Sequence, residues 1–132
     1  MRPTRILIVD DHDSVRAALS AKLAEIPGLV VAATAAETDD NLAEAMKFAP
    51  DVVLLDVKRQ RGSGLEICRR IVRERPTARV LVLTSYPDEA ERAESCAAGA
   101  ADYLLKDLDL EVLLRQIKAK DPQMGKDARR SV

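Results

Sequence analysis

Aromatic residues are scarce in this chain, which holds one Phe, two Tyr and no Trp. Recognition of nucleic-acid bases by stacking needs aromatic side chains, so the composition argues against that function. No run of about 18 apolar residues occurs, so we expect no membrane span. The first residues also lack the apolar segment and small-residue cleavage site of a secretory signal. With so few aromatics, the core must be built from aliphatic side chains.

An excess of charge of one sign is also missing. The chain carries 21 basic and 22 acidic side chains, a formal net charge of -1, which gives no sign of a nucleic-acid surface over the whole domain. The two cysteines, Cys68 and Cys96, follow no disulfide or metal-binding pattern. We therefore expect both to be reduced thiols in or near the core, and the protein to be cytoplasmic.

What the chain does have is apolar content, 47% of 132 residues, enough for the core of one domain. Aliphatic segments typical of strands cover residues 5–9, 29–34, 51–55, 79–83 and 102–105. Between and after them, helical patterns cover residues 14–26, 39–49, 64–75, 88–99 and 109–120. This alternation predicts an α/β fold, a doubly wound parallel sheet with helices on both faces. Residues 120–132 show no periodic apolar face and are expected to be a frayed end or a linker.

Capping residues and prolines predict where several helices begin and end. Ser14 or Asp13 is the expected N-cap of the first helix. The second helical pattern places Ala49 on its apolar face and ends at Pro50. Gly99 suits the position directly after the fourth helix, where a left-handed backbone is common.

Polar side chains follow four of the five predicted strands at the point where each strand ends. They are Asp10 and Asp11, then Asp56, then Thr84 and Ser85, and finally Lys106. Ligands of an open parallel sheet bind beyond the carboxyl ends of its strands. Clustered carboxylates there suit Mg²⁺, which can neutralise phosphoryl oxygens, and a carboxylate can itself be the nucleophile. The sequence therefore predicts a phosphoryl-transfer site at this edge of the sheet.

Four stretches in this order resemble the receiver domain of a two-component response regulator. They are "ILIVDDH" (6–12), "DVVLLDV" (51–57), "VLVLTSY" (80–86) and "AAGAADYLLKD" (97–107). The details "DDH", "LTSY" and "KD" look most like receivers that precede a LuxR-type helix-turn-helix domain. The resemblance implies a flavodoxin-like five-stranded sheet of order 2-1-3-4-5, with a receiver domain at 1–119 and a tail at 120–132.

The resemblance also implies a role for each polar residue at the strand ends. Asp56 would accept the phosphoryl group from a sensor histidine kinase. Asp10, Asp11 and Asp56 would hold Mg²⁺ together with the backbone carbonyl of Lys58. Lys106 would pair with the phosphoryl group. The domain would act as a phosphoacceptor that catalyses at most its own phosphorylation and dephosphorylation.

Two further residues would report the phosphorylation. Thr84 would hydrogen-bond a phosphoryl oxygen, and Tyr103 would then swing inward, changing the surface of the fourth helix, fifth strand and fifth helix. That surface would form a homodimer or release an effector domain. Transcription would be regulated through an attached or partner DNA-binding domain, and the receiver itself would contact no DNA.

The sequence departs from the family pattern at two places. In the loop after Asp56, Arg59 and Gln60 stand where the family usually has a hydrophobic residue and then a proline. Lys58, Arg59 and Arg61 make this loop basic. This basic loop should favour an anionic ligand. Asp107 follows Lys106, at a position where the family often has a proline with a cis peptide bond. A cis bond before a residue other than proline costs about 3 kcal/mol. We therefore expect a trans bond or a less constrained loop there, with Asp107 as a candidate N-cap.

Two other functions stay open at this point. "DHDSV" (11–15) fits the pattern of haloacid-dehalogenase-type phosphatases, in which Asp11 would be the nucleophile, although the chain is short for that family. An interaction module that has lost its switch is the other, motivated by the basic loop. His12, the single histidine, is expected to be a solvated loop residue.

Overall fold

A five-stranded parallel sheet with five helices forms the part of the chain that the computed structural model describes, residues 2–35, 39–56, 64–106 and 109–118. The strands are β1 (Thr4–Val9), β2 (Leu29–Ala35), β3 (Val52–Asp56), β4 (Arg79–Thr84) and β5 (Asp102–Leu105). The helices are α1 (Asp13–Ala24), α2 (Asp39–Met46), α3 (Gly64–Glu74), α4 (Glu89–Ala97) and α5 (Leu110–Lys118). The strand order is β2-β1-β3-β4-β5, so the predicted fold class and order are confirmed.

Both faces of the sheet are buried, because side chains alternate between two apolar clusters along each strand. The cluster shared with α1 and α5 contains Ile6, Ile8, Val52, Leu54, Leu81 and Leu83 with Leu23, Leu113 and Ile117. The cluster shared with α2, α3 and the end of α4 contains Leu7, Val9, Val53, Leu55, Val80 and Val82 with Leu42, Cys68, Ile71 and Ala98. Burying one such aliphatic side chain stabilises the fold by about 1.5–3 kcal/mol. The continuous apolar strands of the sequence follow from this two-sided burial.

Helix α1 begins differently from the prediction. His12, with φ -89 and ψ 113, is its N-cap and makes no capping hydrogen bond through its side chain. The expected caps, Ser14 and Asp13, both lie inside the helix, so that prediction is wrong. The reason is a contact outside the helix: the Asp10 carboxylate accepts a hydrogen bond from the His12 N–H at 2.9 Å, which fixes the residue before the first turn.

Helix α2 ends at Met46, earlier than the apolar pattern predicted. The following N–H groups of Lys47, Phe48 and Ala49 bond to carbonyls three residues back. Ala49 then takes a positive φ of 54 directly before Pro50. Proline disfavours the α conformation in the residue before it, so Ala49 cannot extend the helix.

The turn after α4 matches the prediction. Gly99 has φ 101, and its N–H donates to the carbonyl of Cys96 at 3.0 Å. A Cβ at this position would lie 3.0 Å from the methyl groups of Val72, so both backbone and space favour glycine. Cys68 is buried as expected, whereas Cys96 is exposed and so lies farther from the core than predicted.

Several predictions fall on residues outside the described part of the chain. They are the Lys58–Arg61 loop, the bond and capping role of Asp107, and the tail at 120–132. Within the described residues, no helix combines the length and apolar character needed to cross a bilayer.

Candidate functional site

The carboxyl ends of four adjacent strands carry the polar side chains that the sequence singled out. Asp10 directly follows β1, Asp56 ends β3, Thr84 ends β4 and Lys106 directly follows β5. The parallel pairing of β4 with β5 continues past the end of β5, since the Lys106 N–H donates to the carbonyl of Thr84 at 2.8 Å. Asp10, Asp56 and Thr84 are each at most 5% exposed. Parallel pairing thus brings four chemically distinct groups to one edge of the sheet.

Lys106 joins the two buried carboxylates. Its Nζ lies 3.0 Å from Oδ2 of Asp10 and 3.1 Å from Oδ1 of Asp56. Burial by itself would lower the pKa of Lys106, but its hydrogen bonds to Asp10 and Asp56 raise that pKa above the ordinary value. Burial would likewise raise the pKa of Asp10, and the His12 N–H together with the Lys106 ammonium lowers it below its usual value. The ammonium and the Asp10 carboxylate therefore keep their charges over a wide pH range.

The loop between β1 and α1 is held by the side chain of Arg16, which the sequence reasoning missed. Its guanidinium donates to the backbone carbonyl of Asp10 and to the carboxylate of Asp13. The Arg16 side chain is 17% exposed, whereas that of Asp13 is 91% exposed. The sequence signal was the i,i+3 spacing of Asp13 and Arg16 on a helix surface. Arg16 fixes the position of the Asp10 backbone.

A group able to hold a metal ion consists of Asp10, His12 and Asp56, whose ligand atoms all lie within 4.8 Å of one another. Two nearly buried carboxylates fit Mg²⁺, which prefers oxygen ligands. Among the described residues, Asp11 is partly buried and stands outside this group. His12, expected to be solvated, does have an exposed side chain, but its Nδ1 lies 3.1 Å from Asp10 Oδ1. Of the four metal-site residues expected, the structure brings Asp10 and Asp56 together, and Lys58 lies outside the described part.

A cavity of about 370 Å³ opens beside these carboxylates. Asp56, Lys106 and Ser85 line one part of it, and Val15 and Leu19 of α1 line another. The cavity therefore places Asp56 and Lys106 beside apolar side chains of α1. Ser85 is exposed and borders this space.

Thr84 and Tyr103, expected to act together, lie near α4. Thr84 Oγ1 accepts from the Tyr86 N–H at 3.2 Å and lies 3.3 Å from the Tyr86 carbonyl, to which it donates. Tyr103 is 3% exposed, and its hydroxyl donates to Oε1 of Glu91 at 2.5 Å. Burial, followed by the hydrogen bond to Glu91, raises the pKa of the Tyr103 phenol. Sequence reasoning missed Glu91, because a charged residue in a helix is expected at the surface.

This arrangement defines a class of protein. The response regulator receiver domain family matches residues 6–118, and the chain belongs to that family. It is a receiver domain of the two-component signalling type, related to transcriptional regulators. Domains of this family are signalling domains and not classical enzymes, which favours that interpretation over a phosphatase using Asp11.

Individual relatives agree with this assignment. Response regulator GacA of Pseudomonas aeruginosa is 39% identical over 114 residues, which cover 86% of this chain and 53% of that protein. The DNA-binding transcriptional activator DevR/DosR of Mycobacterium tuberculosis is 35% identical over 114 residues, covering 86% of this chain and 51% of that protein. The chain thus spans about half the length of the curated relatives it matches.

Solved structures show the same fold. A two-component response regulator of the LuxR family from Aurantimonas sp. SI85-9A1 superposes with a TM-score of 0.75 at 27% identity, and the match covers 98% of this chain and 97% of that one. The resemblance to receivers of LuxR-type regulators, first visible in "DDH" and "LTSY", is therefore confirmed.

Proposed function

We propose that this chain is a phosphorylation-controlled switch in which Asp56 accepts a phosphoryl group from a sensor histidine kinase. One observation carries the proposal: Lys106 Nζ lies within 3.1 Å of both Asp10 and Asp56, beside a cavity that Asp56 and Lys106 line. A carboxylate beside a fixed ammonium can act as a nucleophile while the cation pairs with the incoming phosphoryl oxygens. We assign the chain to the cytoplasm, where the phosphohistidine of a sensor kinase would be accessible to it.

In the transfer, a carboxylate oxygen of Asp56 attacks the phosphorus of the donor. An O–P bond forms, the N–P bond of the phosphohistidine breaks, and its electron pair returns to the imidazole nitrogen. Lys106 contacts Asp56 already and supplies positive charge to the transferred group. Mg²⁺, held by Asp10, Asp11, Asp56 and the Lys58 carbonyl, would neutralise phosphoryl charge. Asp10 therefore binds the ion and also orients Lys106.

The readout would use Thr84 and Tyr103, because both lie between the phosphoacceptor edge and α4. A hydrogen bond from Thr84 to a phosphoryl oxygen would compete with its present bond to the Tyr86 carbonyl, so the β4–α4 loop would move. The neighbouring face already exposes apolar side chains, with Leu105 43% and Val112 36% exposed. This α4–β5–α5 face, formed by Glu89–Ala97, Asp102–Leu105 and Leu110–Lys118, suits homodimer formation.

An effector beyond this chain would carry the output. The relatives that the chain matches are about twice its matched length, and one of them is described as a DNA-binding transcriptional activator. We therefore assign transcription control to a DNA-binding domain, attached or separate, whose activity depends on the α4–β5–α5 face.

Size-exclusion chromatography with light scattering tests the proposal, with and without beryllofluoride and Mg²⁺ as a phosphoryl mimic. We expect the wild-type chain to shift toward the dimer mass and Asp56→Asn to keep its unliganded profile. Glu44→Gln, at an exposed residue of α2, is the control and should shift like the wild type. Identical wild-type profiles in both conditions would reject the switch and favour a module that binds its partner without one.

A further inference from the structure

Glu91 is an acidic residue that the fold buries although the function described above does not use it. It is 8% exposed, whereas Glu89 and Glu94 on the same helix are exposed. Burying a carboxylate is costly unless a hydrogen bond compensates it. The compensation comes from the Tyr103 hydroxyl, which donates to Glu91 Oε1 at 2.5 Å.

Tyr103 is held from the start of α4 by further contacts. Its hydroxyl oxygen accepts from the Asp88 N–H at 3.2 Å, and the Arg92 guanidinium lies 5.1 Å from its ring centroid. Asp88 also caps the helix, since its carboxylate accepts from the Glu91 N–H at 3.1 Å. The start of α4 therefore contacts the Tyr103 ring, donates a hydrogen bond to its hydroxyl oxygen and accepts one from its hydroxyl proton.

We infer that Glu91 is a positioning residue that holds Tyr103 in its buried orientation and so fixes β5 against α4. A buried phenol needs an acceptor for its proton, and the carboxylate of Glu91 provides it. Without the carboxylate, the phenol keeps its contacts with the Asp88 N–H and the Thr84 side chain but loses its charged acceptor, so the ring turns toward water more readily. For signalling, a consequence that rests on the proposed function, Glu91 favours the inward orientation of Tyr103 that the resemblance assigns to the phosphorylated state.

The composition makes this inference measurable. Tyr103 and Tyr86 are the only tyrosines and Trp is absent, so Tyr86→Phe leaves Tyr103 as the single source of tyrosine fluorescence. Tyr86 is 70% exposed, so this substitution removes mainly solvent-facing signal. Acrylamide quenching then reports the exposure of the Tyr103 ring, and an absorbance titration reports its ionisation.

Glu91→Met in the Tyr86→Phe background keeps the side-chain length but removes the acceptor. We expect acrylamide quenching of Tyr103 to rise several-fold, and its ionisation to shift to lower pH because the neighbouring negative charge is gone while Arg92 remains. Glu91→Gln keeps an acceptor oxygen without the charge. It should retain the protection from quenching while ionising at lower pH. Glu94→Met, at an exposed position of the same helix, should change neither quantity.

Unchanged quenching and ionisation in both Glu91 variants would overturn the inference. Glu91→Met separates positioning from space filling, because methionine fills a similar volume and a space-filling role predicts unchanged quenching. The dimer assay is run in parallel on the same proteins. A Tyr103 released by Glu91→Met, in a chain whose wild type ignores beryllofluoride, would support the contact and reject the switch. If the wild type shifts to the dimer with beryllofluoride but Glu91→Met leaves Tyr103 as protected as before, the switch is supported and the role of Glu91 is rejected.

Discussion

The Nζ of Lys106, after β5, lies 3.1 Å from an oxygen of Asp56, at the end of β3, and 3.0 Å from Asp10 after β1. A single ammonium thus spans carboxylates from two other strands. Its side chain is 19% exposed, so water screens these pairs less than it would on the open surface. The stability of the edge and the chemistry of the site therefore depend on the same cation.

Lys106→Met should destabilise the folded chain by about 2 kcal/mol at neutral pH, because it leaves two buried carboxylates without their cation. Urea unfolding measures this free energy. The control Lys118→Met, at an exposed residue of α5, should stay within about 0.5 kcal/mol of the wild type.

The pH dependence of that difference follows from the pKa directions. The pKa of Asp10 is lowered in the folded chain, so its contribution is present above its unfolded value of about 3.9 and lost as the pH falls through the folded pKa. The pKa of Lys106 is raised, so its contribution is present below about 10.4 and lost as the pH rises through the folded pKa. The wild type and Lys106→Met should differ most between these limits and converge at both ends. A difference that stays constant into strong acid would contradict the pairing.

Mg²⁺ and the Lys106 ammonium compete for the same carboxylates. Lys106→Met should therefore bind Mg²⁺ at least as tightly as the wild type in isothermal titration calorimetry, although it should fail as a switch. Asp10→Asn should weaken Mg²⁺ binding by about tenfold or more, about 1.4 kcal/mol, because it removes a charged ligand. Weaker binding by Lys106→Met would show that the lysine supports the ion and does not compete with it.

The two cysteines should differ in reactivity. Burial raises the pKa of Cys68 to about 11, and its Sγ donates to the Ala98 carbonyl at 3.7 Å. Even at pH 9 only roughly 1% of such a thiol is thiolate, the form that reacts. Iodoacetamide should label the exposed Cys96 and leave Cys68 unmodified in the native chain, as read by peptide mass spectrometry. Equal labelling of Cys68 and Cys96 at pH 8 would contradict the burial of the Cys68 thiol.

The N-cap of α4 gives a separate test of the helix that holds Tyr103. Asp88→Ala removes the acceptor for the Glu91 N–H and should cost about 1 kcal/mol of unfolding free energy in urea. Asp88→Asn keeps a capping oxygen and should cost much less. If alanine and asparagine destabilise equally, the carboxylate does not cap the helix.

The strands and the edge of the sheet were predictable from the sequence because they depend on local signals. Continuous aliphatic runs mark buried parallel strands, and the residue after each run must lie at the carboxyl edge. Asp10, Asp56, Thr84 and Lys106 came together on that basis alone.

Features that depend on contacts between distant segments were missed. Glu91 is buried because Tyr103 of another element reaches it, and a lone acidic residue in a helix carries no such signal. The cap of α1 was misplaced because Asp10, outside the helix, holds His12. Helix α2 was predicted too long because the periodicity of Ala49 outweighed the restriction that Pro50 imposes on its backbone.

The most direct measurement is the site of covalent modification by a small phosphoryl donor. The chain is incubated with Mg²⁺ and phosphoramidate, the acyl phosphate is trapped by borohydride reduction, and the modified peptide is sequenced by mass spectrometry. We expect the modification on Asp56, abolished by Asp56→Asn and strongly reduced by Lys106→Met. Modification of Asp11 in place of Asp56, or labelling that Asp56→Asn leaves intact, would contradict the account.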